Sequence, residues 1–104
     1  MNLAAAIAKG KEAAAAYVRA NPEGPNWYPC GFAWLTYSCR KNAKESKTLL
    51  ANGFRWDDYH KEYTFGAYEW TSTQSMDYKT DILRAMQTEL AKHNFVFGVR
   101  SRID

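Results

Sequence analysis

The segment Phe32–Cys39, reading FAWLTYSC, constrains the fold more than any other stretch, because as an extended chain it carries large side chains on both faces. Aromatic and β-preferring residues between Gly31 and the polar run RKNAKES predict a strand. Alternation sends Phe32, Trp34, Thr36 and Ser38 to one side and Ala33, Leu35, Tyr37 and Cys39 to the other. One face must be buried against a core, and the second face is then too apolar to go unexplained.

The rest of the chain supplies partners for that strand. From Asn2 to Ala20 the alanines favour helix, with Leu3, Ile7, Ala14 and Val18 on one side. Asn21, Pro22, Gly24 and Pro25 end it and open an irregular connection through Asn26. Asn42 or Ser46 is placed to start a short helix to about Ala51, with Asn52 and Gly53 as its stop. Phe54 to Trp56 and Tyr63 to Trp70 read as a hairpin turning near Asp57 to Lys61. Ser75 or Asp77 begins a last helix whose stripe is Tyr78, Ile82, Leu83, Met86 and Leu90, closed by Asn94. Phe95, Phe97 and Val99 alternate in a final strand. After the first helix the order is β-α-β-β-α-β, the split pattern of ferredoxin-like α+β domains, in which two helices cover one face of an antiparallel sheet. A single domain over 1–104 is expected, with an added helix over 1–21 and the βαββαβ unit over 27–104.

Composition narrows the function classes. With 104 residues, 46% hydrophobic and 24% charged, the chain is neither disordered nor membrane-spanning in character. Four Trp, seven Tyr and five Phe are a surplus of large contact residues. A net charge of +3 permits an acidic partner without demanding one. Lys9, Lys11 and Glu12 interrupt any apolar signal region, so a cytoplasmic protein with reduced Cys30 and Cys39 is expected.

Two stretches carry resemblances. In AKESKTLLANGFRWDDYHKEYTF, the residues Ala43, Lys44, Leu50, Gly53, Trp56, Asp57 and Lys61 resemble a short helix-hairpin domain found beside primases and other DNA-processing proteins of plasmids and phages; Tyr63 stands where that domain has Trp. The segment YPCGFAW at Tyr28 to Trp34, QSMDYK near Gln74 and the terminal SRID are similar to small uncharacterised proteins of bacteriophages and mobile elements. The second resemblance implies a genomic setting, with accessory tasks such as blocking host defence.

No catalytic or metal motif emerges, and no cofactor is implied. His60 lies among Asp57, Asp58 and Glu62, but a solvated hairpin turn rarely shifts a pKa for catalysis. His93 falls where an imidazole complements the last helix's dipole. Neither cysteine has a histidine close in sequence to serve as its base. Arg40, Lys41, Lys44 and Lys47 cluster before and within the middle helix, with Arg100 and Arg102 near the chain end, and such charges can grip phosphates.

The open sheet face carries the expectation of function. Phe32 and Trp34 are expected there, joined by Tyr68 and Trp70 from the third strand. Three explanations compete: the Ala-rich helix covers the face; a protein, a second copy included, binds it; or single-stranded DNA or RNA stacks on it with Arg40, Arg55 or Arg100 nearby. The leading expectation is a non-catalytic binding protein that inhibits host machinery by protein contact, with nucleic-acid binding as the alternative and no membrane partner.

Overall fold

The computed structural model describes residues 1–24 and 29–104. Pro25, Asn26, Trp27 and Tyr28 lie outside the described residues, and with them the expected connection through Asn26, the start of the unit at residue 27 and the first residue of YPCGFAW.

Local signals in the sequence set most element boundaries. Helix α1, Leu3–Ala20, starts where Asn2 Oδ1 accepts the Ala5 N–H at 2.8 Å. Strand β1 is Gly31–Tyr37 and helix α2 is Ser46–Ala51. Gly53, at φ +92°, lets the Phe54 N–H reach Leu49 O at 3.0 Å and the Gly53 N–H reach Leu50 O at 3.2 Å, the two bonds of a Schellman stop. Strands β2, Arg55–Asp57, and β3, Glu62–Phe65, form the hairpin. Helix α3, Met76–Lys92, is capped by Ser75 and closed by Asn94 at φ +68°, again with both Schellman bonds, Phe95 N–H to Leu90 O and Asn94 N–H to Ala91 O. Strand β4 is Gly98–Ile103.

These elements make an α+β protein with one four-stranded antiparallel sheet, ordered β2-β3-β1-β4, and three helices among the described residues. Leu35 stands beside Phe65 on one side and Val99 on the other, while Trp34 stands beside Arg100 and Phe32 beside Arg102. Alternation along β1 is as the sequence predicts: Ala33 and Leu35 are buried, and Phe32 and Trp34 are only half-buried on the opposite face. No described helix is long and apolar enough to cross a membrane.

The first helix belongs to the core side. Ala6, Ile7 and Ala14 are buried in one cluster with Leu35, Phe65, Ile82, Leu83, Met86 and Leu90. Near one end of the contact Gly10 lies against Met86 and Leu90; near the other the Tyr78 hydroxyl donates to Asn21 O at 2.8 Å and the Tyr17 hydroxyl to Asp81 at 3.4 Å. The two helices therefore run antiparallel. A Cβ on Gly10 would sit 2.9 Å from Met86 Cγ and 3.3 Å from Leu90 Cγ, so the residue that weakens the helix also permits its close approach. Lys11 extends the contact over the Phe65 ring, 5.1 Å from its centroid, and pairs with Glu69 at 3.2 Å. Covering of the open sheet face by this helix, one of the three explanations, is thereby overturned.

Strands β1 and β2 are displaced by one or two residues from expectation, and two boundaries differ more. The third strand stops at Phe65 rather than reaching Trp70, because the chain folds over at Gly66 and turns, with the Trp70 and Thr71 N–H groups bonded to Ala67 O at 3.0 and 3.2 Å. The last strand starts at Gly98, after Phe97 has turned into the core against Tyr37 and Phe54, with centroids 4.7 and 5.8 Å apart. Substituting Gly10→Val forces branched carbons into Met86 and is expected to cost about 1–3 kcal/mol by overpacking. The urea midpoint should fall, while Gly24→Val, whose Cβ meets nothing within 4 Å, leaves it nearly unchanged.

Candidate functional site on the open sheet face

The face away from the helices is built by alternation in four strands. It presents Phe32, Trp34 and Thr36 from β1, Arg100 and Arg102 from β4, Glu62 and Thr64 from β3, and Arg55 and Asp57 from β2. Phe32 and Trp34 stack with centroids 5.9 Å apart and planes 13° from parallel. Three cations surround them. The Arg102 guanidinium lies 5.5 Å from the Phe32 centroid and 5.9 Å from that of Trp34, Arg100 lies 5.8 Å from Trp34, and Lys79 Nζ lies 5.5 Å from Phe32. Such distances are those of cation–π attraction.

Arg100 also links strands of the sheet. Its Nη2 contacts Glu62 Oε2 and lies 3.4 Å from Asp57 Oδ2. β4 and β2 are opposite edges of the sheet, about 14 Å apart if it were flat. The register also offsets them, with Arg100 opposite Trp34 and the Asp57–Glu62 pair one step beyond Tyr37 and Tyr63, so the guanidinium meets the carboxylates diagonally across the face of a twisted sheet. Trp34 stands as the wall between two clefts in it. One, of about 440 Å³, is lined by Tyr59, His60, Arg100, Ser101 and Arg102; the other, of about 500 Å³, by Arg55, Thr64, Gly66 and Tyr68.

The hairpin turn closes one end. Asp57 Oδ1 accepts the N–H groups of Tyr59 and His60 at 3.0 and 3.2 Å, and Oδ2 lies 2.8 Å from His60 Nδ1. The His60 side chain, then its N–H, holds the Asp57 carboxyl below the ordinary aspartate range. Asp57, His60 and Glu62 bring ligand atoms within 4.8 Å of one another, a set able to hold a metal ion, yet the Arg100 guanidinium already supplies a cation to both carboxylates.

The structure separates several residues that the sequence groups together. Trp70 is not on the open face: it lies in the segment after β3 and packs edge-on against Phe65 at 5.9 Å, among the residues lining the core. Tyr68 does reach the face, although from that same segment rather than from a strand, and is 71% exposed. Arg40, Lys41 and Lys44 follow the C-terminal end of β1, where β1 meets the start of β4, so they lie beyond the other end of the sheet from Arg102. The Lys41 carbonyl is fixed there by the buried Tyr63 hydroxyl and by Ser46 Oγ at 2.8 Å. His93 caps α3 and lies 3.0 Å from Glu89, whose carboxyl it draws below the ordinary range. Burial, then Glu45, pushes the Cys39 thiol up, away from the thiolate a nucleophile needs.

Lys79 and Tyr59 belong to the site and were missed in the sequence, while Asp57 and Glu62 were read there only as part of a solvated turn. For Lys79 a signal exists: it stands three residues before Ile82 on the apolar stripe of α3 and is only 6% exposed, so its stem is buried while its charge points to the ring.

No family model, no curated protein and no solved structure matches this chain. The site is therefore read from its own geometry.

Replacing Arg100 with Met leaves two carboxylates side by side without their cation, and a loss of about 1–3 kcal/mol in urea unfolding is expected. The turn is also acid-sensitive. Because the folded-state pKa of Asp57 lies below its unfolded value, the stabilisation is complete above the unfolded value and is lost as pH falls through the folded one. Amide exchange at Tyr59 and His60, followed by NMR, should accelerate over that acid range, and Asp57→Asn should abolish the transition.

Proposed function

We propose that this chain is a non-catalytic binding protein whose contact surface is the open sheet face around Trp34, with a cleft on either side of that ring. The observation that carries the reading is the docking of α1 on the core side, which leaves stacked Phe32 and Trp34, with their arginines, half-exposed on the sheet face away from the helices. Trp, Tyr and Arg in a well-packed setting are the residues that anchor protein interfaces. Tyr59 and Tyr68, 88% and 71% exposed, flank the two clefts and add contact area. The partner in this reading is a host protein or protein complex in the cytoplasm. Its setting is that of a phage or mobile-element accessory factor that inhibits host machinery, a nucleic-acid-targeting defence system included. Small size and the resemblances noted in the sequence support that setting. We also infer that the unit following α1 is ferredoxin-like: β3 lies between β1 and β2, and β1 between β3 and β4, as two interleaved split βαβ units require.

One observation favours single-stranded nucleic acid as a second reading. Arg102 and Lys79 face the Phe32–Trp34 stack without a carboxylate partner among the described residues, an arrangement suited to bases on rings and phosphates on cations.

Trp34→Ala is expected to keep the fold, judged by circular dichroism, and to weaken the purified host complex about 30-fold, as loss of a central anchor of roughly 2 kcal/mol predicts. Unchanged affinity in both Trp34→Ala and Arg102→Ala would sink the assignment of this face. Fluorescence titration with a single-stranded oligonucleotide at two salt concentrations separates the readings, since only phosphate contacts produce a steep loss of affinity with salt.

A further inference from the structure

β4 ends the sheet, and among the described residues nothing pairs with its outer edge. The direction of its backbone groups follows from one bond. The Asp104 N–H donates to Cys30 O at 3.1 Å, so Asp104 turns its polar backbone toward β1. Antiparallel pairing alternates, and Arg102, Arg100 and Gly98 do the same opposite Phe32, Trp34 and Thr36. Val99, Ser101 and Ile103 therefore point their N–H and C=O groups outward, six groups in a row. The other sheet edge, β2, has three residues and runs into the acidic turn at Asp57 and Asp58, which blunts it. β4 is twice as long, and its Ile103 is 66% exposed.

We propose that β4 pairs antiparallel with β4 of a second copy about a twofold axis through Ser101. That register satisfies both hydrogen-bond polarity and side-chain chemistry. Ser101 meets its own counterpart, and Val99 meets Ile103 of the second copy, each pair having outward backbone groups, so six bonds form. On the core side of the sheet the Val99 and Ile103 contacts cover the exposed apolar side chain. On the open face Gly98, lacking a side chain, stands opposite Asp104 of the second copy, which leaves that carboxylate diagonal to Arg100 and complementary to its charge.

The cost of this register is Arg100 opposite Arg102, and like charges directly across a ladder disfavour pairing. Here both guanidiniums lean away from the seam. Arg100 is drawn to Glu62 and Asp57, and Arg102 lies over Phe32 and Trp34. The arginines that would ordinarily guard an edge strand thus guard β1 instead. In the resulting eight-stranded sheet the two β1 strands are three spacings, about 14 Å, apart. Both Phe32–Trp34 stacks then lie on one continuous face, independent of which partner that face engages.

Sedimentation equilibrium on the full chain is expected to show a reversible dimer. Ser101→Pro removes an outward N–H without touching the β1 ladder, so it should give a monomer with an unchanged circular dichroism spectrum. Ser101→Cys provides a second measurement that does not depend on tolerance of proline. Opposed residues of a hydrogen-bonded pair have Cα atoms about 5.5 Å apart, within disulfide range, so mild oxidation should give a reducible covalent dimer. Neither the unmodified protein, with Cys30 and Cys39, nor Val96→Cys, exposed but off the strand, should match its rate. A wild-type monomer at every concentration, a dimer that survives Ser101→Pro with the fold intact, or equal cross-linking from position 96 overturns the proposal. So does a monomer that forms a complex with a host protein and loses it in Ser101→Pro, a result that assigns the edge to a foreign strand.

Discussion

The contact of α1 with α3 at Gly10 decides how the rest of the molecule is disposed. A glycine in a helix interior costs about 1 kcal/mol against alanine, and here it lies so close to Met86 and Leu90 that an added Cβ would have to displace their side chains. Closeness of the two helices brings Ile7 and Ala14 into the same cluster as Leu35 and Phe65. With α1 committed to that side, the sheet has one dry face and one face left to water. The face that the helix did not take is the one that carries Phe32, Trp34 and their arginines.

Arg100 is the second organising residue, and it acts on the other side of the sheet. It joins β4 to β3 through Glu62 and to the far edge strand β2 through Asp57, while lying near the Trp34 ring. A charge placed this way lies between two carboxylates that would otherwise repel each other and lines a cleft. Its Nε is buried without a hydrogen-bond partner among the described residues, so the guanidinium is held by one end only. Charge pairing in this partly wet setting contributes modestly to stability, but it fixes geometry that apolar packing alone would leave loose.

Much of this was legible in the sequence where a local rule operates. Asn2 and Ser75 cap helices, Gly53 and Asn94 end them in left-handed backbone, and the alternation of β1 divides its residues between the two faces as written. What could not be read depends on distant parts of the chain. Residues 66–70 look like strand because Tyr68 and Trp70 alternate about Glu69 after the aromatic Tyr63 and Phe65, yet nothing local reveals that Trp70 packs edge-on against Phe65 while α1 extends Lys11 over the same ring. The partnership of Asp57 with Arg100 needs the strand order before it can be seen, since 43 residues separate them. The basic run at Arg40 to Lys44 seemed to belong with Arg100 and Arg102 because charge was the only criterion available; the β1–β4 register places them apart.

The position of Arg102 over Phe32 and Trp34 means that the aromatic face is never presented bare. A purely apolar ligand would have to lift a guanidinium off two rings and give it nothing in return, so greasy surfaces are poor competitors for this site. A ligand that keeps the arginine in place and offers it an acceptor gains the ring contact and a charge-assisted bond together. The side chain thus works as a filter: the residue that lies over the rings sets the chemistry of what can displace water from them.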